Sequence, residues 1–384
     1  MRRASSPETD AMTITRRATL SQRLLPLGLA LTVAPWLPGT APVSAGEVQV
    51  KPITFPSPFL DGAETAALDR VLEASGVQPI GDGRLMLVAH DKKVPLRVIE
   101  TATGRPTGAP LVSPGFPQET PKSAKWEGMA RDSEAAYYVV GSHSGKTADE
   151  RNQHAKLLRF RLTGPTAAPT IDDASVVSWR IDAGLVKALK DQGLSQTAID
   201  QRKIEGLAIR ETETAGKPRR ELVIGLRQPD DLVRAFATDL SGPPAADAEL
   251  PTAPLFAFEP GSREGVRSQL TSLEYLPAWH GFLVVTTTED DLNAFHGNTL
   301  WFVADDAIAA AGGATTVAEQ LWVFEAAMKA EGICVLPAPP EAAAAAPNTV
   351  RLLIAYDNDP HATHIPSRFQ IVELTRPARF AARP

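Results

Sequence analysis

One short phrase recurs through the chain and constrains the fold more than any other feature. Lys125-Trp126-Glu127-Gly128-Met129, Lys203-Ile204-Glu205-Gly206-Leu207 and Lys329-Ala330-Glu331-Gly332-Ile333 share the pattern Lys-x-Glu-Gly-apolar. Ser272-Leu273-Glu274-Tyr275-Leu276 reads as a degenerate copy, and Ala74-Ser75-Gly76-Val77 as a weaker one. Self-similarity at intervals of several tens of residues means stacked or radially arranged copies of one supersecondary unit.

The stretch after each copy repeats too. A turn leads into a run rich in valine, isoleucine, leucine and tyrosine, at 84–89, 136–141, 222–226, 282–286 and 351–356. The length and β-branched content of these runs predict strands. Each ends in a polar cluster: His90-Asp91, Ser142-His143-Ser144, Arg227-Gln228, Thr287-Thr288-Glu289 and Asp357-Asn358-Asp359. A third run comes next at 96–99, 157–162, 232–237, 299–303 and 368–374, and a fourth at 176–181, 254–258 and 320–324, more faintly at 108–112.

Four strands repeated radially make a β-propeller. The expected fold is all-β: a single propeller of about five four-stranded blades. Six is the alternative count, because units of about 55–80 residues exceed a common blade length of ~40–50. The last unit lacks a fourth strand, and residues 48–55 are expected to supply it. That pairing of the N- and C-terminal segments would close the ring and remove a long open edge. β-branched runs and the turn-forming prolines and glycines (33 and 27) exclude a helical repeat. The extra length sits in insertions. Residues 183–202 carry Leu185, Val186 and Leu189 at helical spacing, turn at Gly193 and resume after Ser195 as N-cap, which predicts a short helical lid. Residues 304–318 are expected to hold one or two helical turns.

The pattern resembles the bacterial domain-of-unknown-function family numbered 3616. The Glu-Gly-apolar openings at Glu127, Glu205 and Glu331 carry the resemblance, with Gly141-Ser142-His143-Ser144 and Ile224-Gly225-Leu226-Arg227. It covers most of residues 70–375. More distantly, the chain resembles phytase-like esterase propellers, which share the Glu-Gly-apolar openings. Gln228-Pro229-Asp230 and Tyr275 depart from the pattern. The resemblance implies the propeller and supplies no reaction.

In a propeller the loop entering the innermost strand and the loop leaving the second strand open on one face. The Lys-x-Glu-Gly phrases and the polar clusters should therefore converge at one channel mouth, a concave site of the kind that binds ligands. Two chemistries fit. In the first, Glu127, Glu205, Glu331, Asp357 and Asp359 hold Ca²⁺ or another divalent cation. His143 then acts as general base and Arg227 assists, giving a metal-assisted hydrolase of esters, lactones or phosphoesters. In the second, Lys125, Lys203, Lys329 and Arg227, the last through bidentate contacts, bind a small anionic ligand or a partner protein without turnover, with Asn358 as a further ligand-binding residue. A third reading makes the repeated Glu-Gly pairs structural, with the glycine admitting a close backbone approach. Gly145-Lys146-Thr147 has Val140 where a phosphate-binding loop needs its first glycine, and no helix is expected after it. Asp359-Pro360-His361-Ala362-Thr363-His364 lacks a matched third metal ligand.

Residues 1–45 read as an address rather than as fold. Arg16 and Arg17 precede an apolar run at 24–33, and Val43-Ser44-Ala45 offers a cleavage site. The run falls short of the about 20 residues that span a bilayer. A cleaved export signal is expected, with a periplasmic or extracellular mature protein; an uncleaved anchor is the alternative. Residues 15–20 loosely resemble a twin-arginine signal, with Thr19 where that signal prefers a large apolar residue; the export route stays open. Without residues 1–45 the net charge moves from −6 to −9, which argues against nucleic-acid binding. The lone Cys334, in an apolar run, is expected to be a buried thiol with no disulfide.

Overall fold

The repeated runs form five separate antiparallel sheets in the computed structural model of the chain. The structure describes residues 50–54, 74–90, 96–114, 125–324 except 215, 229, 243, 291 and 293, and then 328–338, 348–357 and 367–376. The expected export segment 1–45 lies outside the described residues, as do Asn358, Asp359 and the two histidines at 361 and 364.

Blade I holds β2 (Ala74–Ile80), β3 (Leu85–His90) and β4 (Leu96–Glu100). Blade II holds β5 (Trp126–Arg131), β6 (Ala136–Gly141), β7 (Leu157–Thr163) and β8 (Thr170–Trp179). Blade III holds β9 (Lys203–Thr214), β10 (Lys217–Gln228), β11 (Val233–Asp239) and β12 (Ala253–Phe258). Blade IV holds β14 (Val266–Leu276), β15 (Gly281–Glu289), β16 (Phe295–Ala304) and β17 (Glu319–Phe324), with a two-residue strand β13 (Ser262–Arg263) on β14. Blade V holds β18 (Lys329–Leu336), β19 (Thr349–Asp357) and β20 (Arg368–Thr375). Its fourth strand is β1 (Val50–Thr54), which pairs antiparallel with β20, Val50 opposite Leu374. The two ends of the propeller are thus closed by one sheet, as the sequence predicts. Among the described residues, blade I has no regular fourth strand. Bridges from Pro106 to Ile99 and from Leu111 to Leu96 cover its edge instead.

Five apolar cores lie between blades, one at each junction, and this fixes the count at five. Leu87 and Val98 pack with Met129 and Val139 between blades I and II. Tyr138 and Val140 meet Leu207 and Ile224 between II and III. Phe256 and Val223 meet Leu273 and Phe282 between III and IV. Leu283 and Phe302 meet Ile333 and Ile354 between IV and V. Val77 and Val88 meet Cys334 and Phe369 between V and I. A middle strand therefore has a core on both faces. This is why 136–141 and 281–288 are buried at every position and read as continuous apolar runs rather than alternating ones. Cys334 is fully buried and unpaired.

The 183–202 insertion is helical. α2 (Asp182–Asp191) and α3 (Gln196–Asp200) sit between blades II and III, and Ser195 caps α3 by accepting from the Ala198 N–H. Leu185, Ala188, Leu189 and Ile199 join the II–III core, so these helices are packed into the ring. Two further helices are α1 (Ala148–His154), capped by Thr147, and α4 (Asp305–Ala311). α1 corrects the expectation that no helix follows Gly145-Lys146-Thr147. Its Glu150 accepts from the Lys146 N–H, a local cap. Among the described residues, no helix is long and apolar enough to cross a membrane.

Candidate functional site

A bulge in the innermost strand of every blade builds the channel mouth. The register between first and second strands slips by one residue at Ser75, Glu127, Glu205, Thr271 and Glu331. A bulge leaves one residue unpaired and re-aims its side chain. The blade IV copy of the repeat is therefore Gln269-Leu270-Thr271-Ser272-Leu273. This corrects the reading of Ser272–Leu276 as the fourth copy, which placed it three residues too late. Glu274 belongs to a deeper level of the channel.

The glycine after each bulge is a packing device. A Cβ on Gly76 would lie 2.9 Å from Met129 Cβ, on Gly128 3.0 Å from Leu207 Cβ, and on Gly206 2.8 Å from Leu273 Cβ. Each glycine thus admits the apolar residue of the next blade's copy, closer than a side chain allows. In blade IV, Ser272 takes the glycine's place, and its Oγ accepts from the Ile333 N–H at 3.0 Å. The glycine half of the motif thus holds the ring together. The glutamate half is free to do something else.

The glutamates stand in a row of alternating charges. Lys203 Nζ lies 3.3 Å from Glu127 Oε1 of the preceding blade and also pairs with Glu205 of its own blade. Arg227 donates from Nη1 to Glu205 Oε1 at 2.9 Å, from Nε to Gln269 Oε1 at 2.7 Å and from Nη2 to Glu289 Oε2 at 2.5 Å. Lys329 Nζ lies 3.4 Å from that same Glu289 oxygen and 2.5 Å from Glu331 Oε1. Ser75 Oγ, in blade I, donates to Glu331 Oε2 at 3.3 Å. The row runs from blade II through III, IV and V to I.

Burial alone would lower the pKa of Lys203, but Glu127 and Glu205 outweigh it and the result is raised. Lys329 is likewise raised: burial would lower it, but Glu331, Glu205 and Glu289 together outweigh burial. Burial would raise Glu205, yet Arg227, Lys203 and Lys329 bring it down to about 2. Lys329 belongs to blade V and Glu205 to blade III, so the charges act across the channel. Lys203, Lys329 and Glu205 are all ionised at neutral pH.

The remaining sequence candidates lie as follows. Glu127, Glu205, Glu331, Lys203, Lys329 and Arg227 are brought together. Asp357 lies opposite Lys329 in the β18–β19 ladder and is buried. Lys125 enters β5 with a φ of 48°, and its carbonyl accepts from the Ser142 N–H at 2.9 Å. His143 is elsewhere. It is 1% exposed, with a φ of 54°, and its Nδ1 lies 3.5 Å from Asp182 Oδ1 at the start of α2. Burial lowers its pKa although Asp182 opposes this. Asp182, Arg202 and Glu249 face it, and none of these belongs to the charge row. Sequence reasoning missed Glu289 and Gln269. Glu289 closes the Thr287-Thr288-Glu289 cluster and Gln269 fills the lysine position of blade IV, so both carried a signal. Among the described residues, no group of three or more His, Cys, Asp or Glu could hold a metal ion.

Deeper in the channel, two blades that are not neighbours touch. Gln78 of blade I donates from Nε2 to Glu274 Oε2 of blade IV at 3.0 Å and to the Met129 carbonyl of blade II at 3.3 Å. Burial pushes the Glu274 carboxyl up to about 8, against hydrogen bonds from Gln78 and the Val335 backbone. Glu274 is thus largely a neutral acid at pH 7, and this bridge spans the channel below the charge row.

No protein-family model matches the chain, and no curated protein matches it. Solved structures do. The complex of Chaetomium thermophilum Nup170 N-terminal domain with Nup53 superposes with a TM-score of 0.42 and 12% identity, over 79% of this chain and 44% of that one. Exo-β-1,3-galactanase of Phanerochaete chrysosporium gives 0.44 and 8%, over 83% of this chain and 63% of that one. The chain thus spans less than two thirds of either protein. Regucalcin of Agrobacterium tumefaciens, a calcium-binding protein, gives 0.36 and 11%, over 80% and 92%. Likeness at this level says nothing of function, and the propeller rests on the sheet topology of this chain.

Proposed function

We propose that this chain is an exported propeller that binds a small ligand carrying an anionic group at the channel mouth, through Lys203, Arg227 and Lys329. One observation carries the reading. In each of the four lysine–glutamate contacts the lysine is the more exposed member: 22% for Lys203 against 4% for Glu127 and 2% for Glu205, and 12% for Lys329 against 11% for Glu289 and 6% for Glu331. The groups turned to a ligand are therefore chiefly the two ammonium heads, held in place by the carboxylates, with Arg227 beside them.

The same pairing weighs against the metal-assisted hydrolase. A divalent cation on Glu205 or Glu331 would have to displace an ammonium group already in contact with it. His143, the expected base, faces Asp182 rather than the row. Export rests on Arg16, Arg17 and the apolar run at 24–33.

Thermal unfolding of the full chain with inorganic phosphate, citrate or acetate tests the reading. A binder raises the midpoint in proportion to its occupancy. At least one anion is expected to raise it saturably, and Lys329→Met to remove most of that shift. No shift with any anion, at concentrations up to tens of millimolar, would overturn it.

A further inference from the structure

We propose a second binding site, on the face opposite the mouth, for a hydroxylated organic anion of the size of a sugar phosphate or a sugar acid, whose acidic group meets Arg219 and Arg210. The site begins with an extended hairpin. The innermost strand ends at Ile80, Arg131, Leu276 and Leu336 in blades I, II, IV and V, four or five residues past the bulge. In blade III it runs to Thr214, nine residues past Glu205, still paired with β10. The hairpin thus stands about 13 Å beyond its neighbours, at about 3.3 Å per residue. Cavities of about 430 and 810 Å³ flank it. On the blade II side, Arg220 is taken up by Asp132, Glu134 and Glu211. The larger cavity lies on the blade IV side, between Arg210 and Arg219 of the hairpin and Tyr275, and its volume suits a small-molecule ligand.

The cations of this cavity are arranged in advance. Glu221 is buried and holds two guanidinium groups: Arg210 Nη1 donates to Oε2 at 3.2 Å, and Arg219 Nη2 lies 2.8 Å from Oε1. Asp305, at the start of α4, holds Arg210 as well. Arg210 Nη2 lies 3.0 Å from its Oδ1, and Tyr275 Oη donates to its Oδ2 at 2.9 Å. Arg210 is thereby fixed and 17% exposed, whereas Arg219 is 49% exposed. Arginine carries five N–H donors, so Arg219 keeps others for an incoming acceptor. A guanidinium group anchored at one corner offers carboxylate or phosphate a planar fork at little ordering cost.

The rest of the lining selects the body of the ligand. Thr212 and Glu213 line the cavity from the hairpin, and Glu213 is exposed. Their hydroxyl and carboxylate accept from hydroxyl groups, whereas an apolar body would take water from Glu213 and return no donor. Pro218 of blade III and Pro277 of blade IV add apolar surface on which the C–H face of a sugar ring can pack. None of these residues belongs to the charge row of the mouth.

Calorimetric titration of the full chain at low ionic strength with glucose 6-phosphate, glucuronate, glucose and inorganic phosphate tests the proposal. A charge-assisted hydrogen bond is worth about tenfold to a hundredfold in affinity. At least one of the two sugar anions is expected to bind tighter than both glucose and inorganic phosphate by that margin. Which one does so separates a phosphate ligand from a carboxylate one. Arg219→Gln is expected to remove the gain and, on a half-exposed side chain, to leave the unfolding midpoint in place. Sugar anions that bind no tighter than glucose or inorganic phosphate would overturn the proposal. So would tight binding that survives Arg219→Gln. If Lys329→Met then abolishes that binding, the sugar anion sits at the mouth and the reading given for the mouth stands.

Discussion

Replacing Glu274 by glutamine should make the protein more stable, and increasingly so as the pH rises. The side chain lies inside the channel, where Gln78 Nε2 and the Val335 N–H donate to it. No cation stands among the groups acting on it, and burial holds its pKa at about 8 against an ordinary 4.5. Between those values the native state keeps a proton that the unfolded chain has released. Stability from this group is fully present below pH 4.5 and is lost as pH rises through 8. The slope is about 1.4 kcal/mol per pH unit, and the whole span is at most about 5 kcal/mol. Glutamine has the shape of the neutral acid and keeps a carbonyl oxygen for both donors, but it does not ionise. Urea unfolding of wild type and Glu274→Gln at five pH values from 5 to 9 measures the difference directly. The gap should widen steadily to about pH 8 and then level off. A gap that stays constant would mean that Glu274 is ionised in the native channel, and the bridge to Gln78 would need another account.

Other perturbations probe the ring and its mouth. Gly206→Ala places a Cβ 2.8 Å from Leu273 Cβ and 3.0 Å from Leu270 Cδ2, and should cost about 1–3 kcal/mol by denaturant unfolding. An unchanged midpoint would show that the blades do not depend on that approach. Glu205, held near 2 by its cations, contributes stability present above pH 4.5 and lost as pH falls toward 2. The acid limb of the stability curve should therefore be flatter in Glu205→Gln, and equal limbs would contradict the pairing. Removing residues 1–54 takes away β1 and bares the edge of β20. Size-exclusion chromatography should then show self-association, and a monomer with unchanged melting would argue that the closing strand is dispensable.

Much of this was legible in the sequence, for reasons tied to particular residues. Continuous apolar runs such as 136–141 marked strands buried on both faces, and five of them in series left little but a propeller. The closing strand was visible because the last unit stopped one strand short. The Lys-x-Glu spacing placed both charges at one mouth, since a bulge turns the glutamate toward the lysine that enters the strand. Blade IV defeated the same reasoning. Glu274 looked like the repeat's glutamate, but the bulge falls at Thr271, where Ser272 does the glycine's work through a hydrogen bond instead of a close approach. The correct copy kept only its outline, with Gln269 for lysine and Leu273 as the apolar residue. His143 misled for a different reason. It sits in the expected loop, but a backbone φ of 54° swings the ring under α2, and no residue type announces that. The bridge between Gln78 and Glu274 depends on the depth at which two inner strands face each other, which local spacing does not encode.

The central claim is that the carboxylates of the mouth are neutralised by lysine and arginine and stand behind them. Calorimetric titration of the full chain with Ca²⁺ tests this most directly. The account predicts no saturable heat at millimolar Ca²⁺ and no rise in melting temperature. A one-to-one Ca²⁺ site that disappears in Glu205→Ala would contradict it and would return the metal-assisted hydrolase to first place.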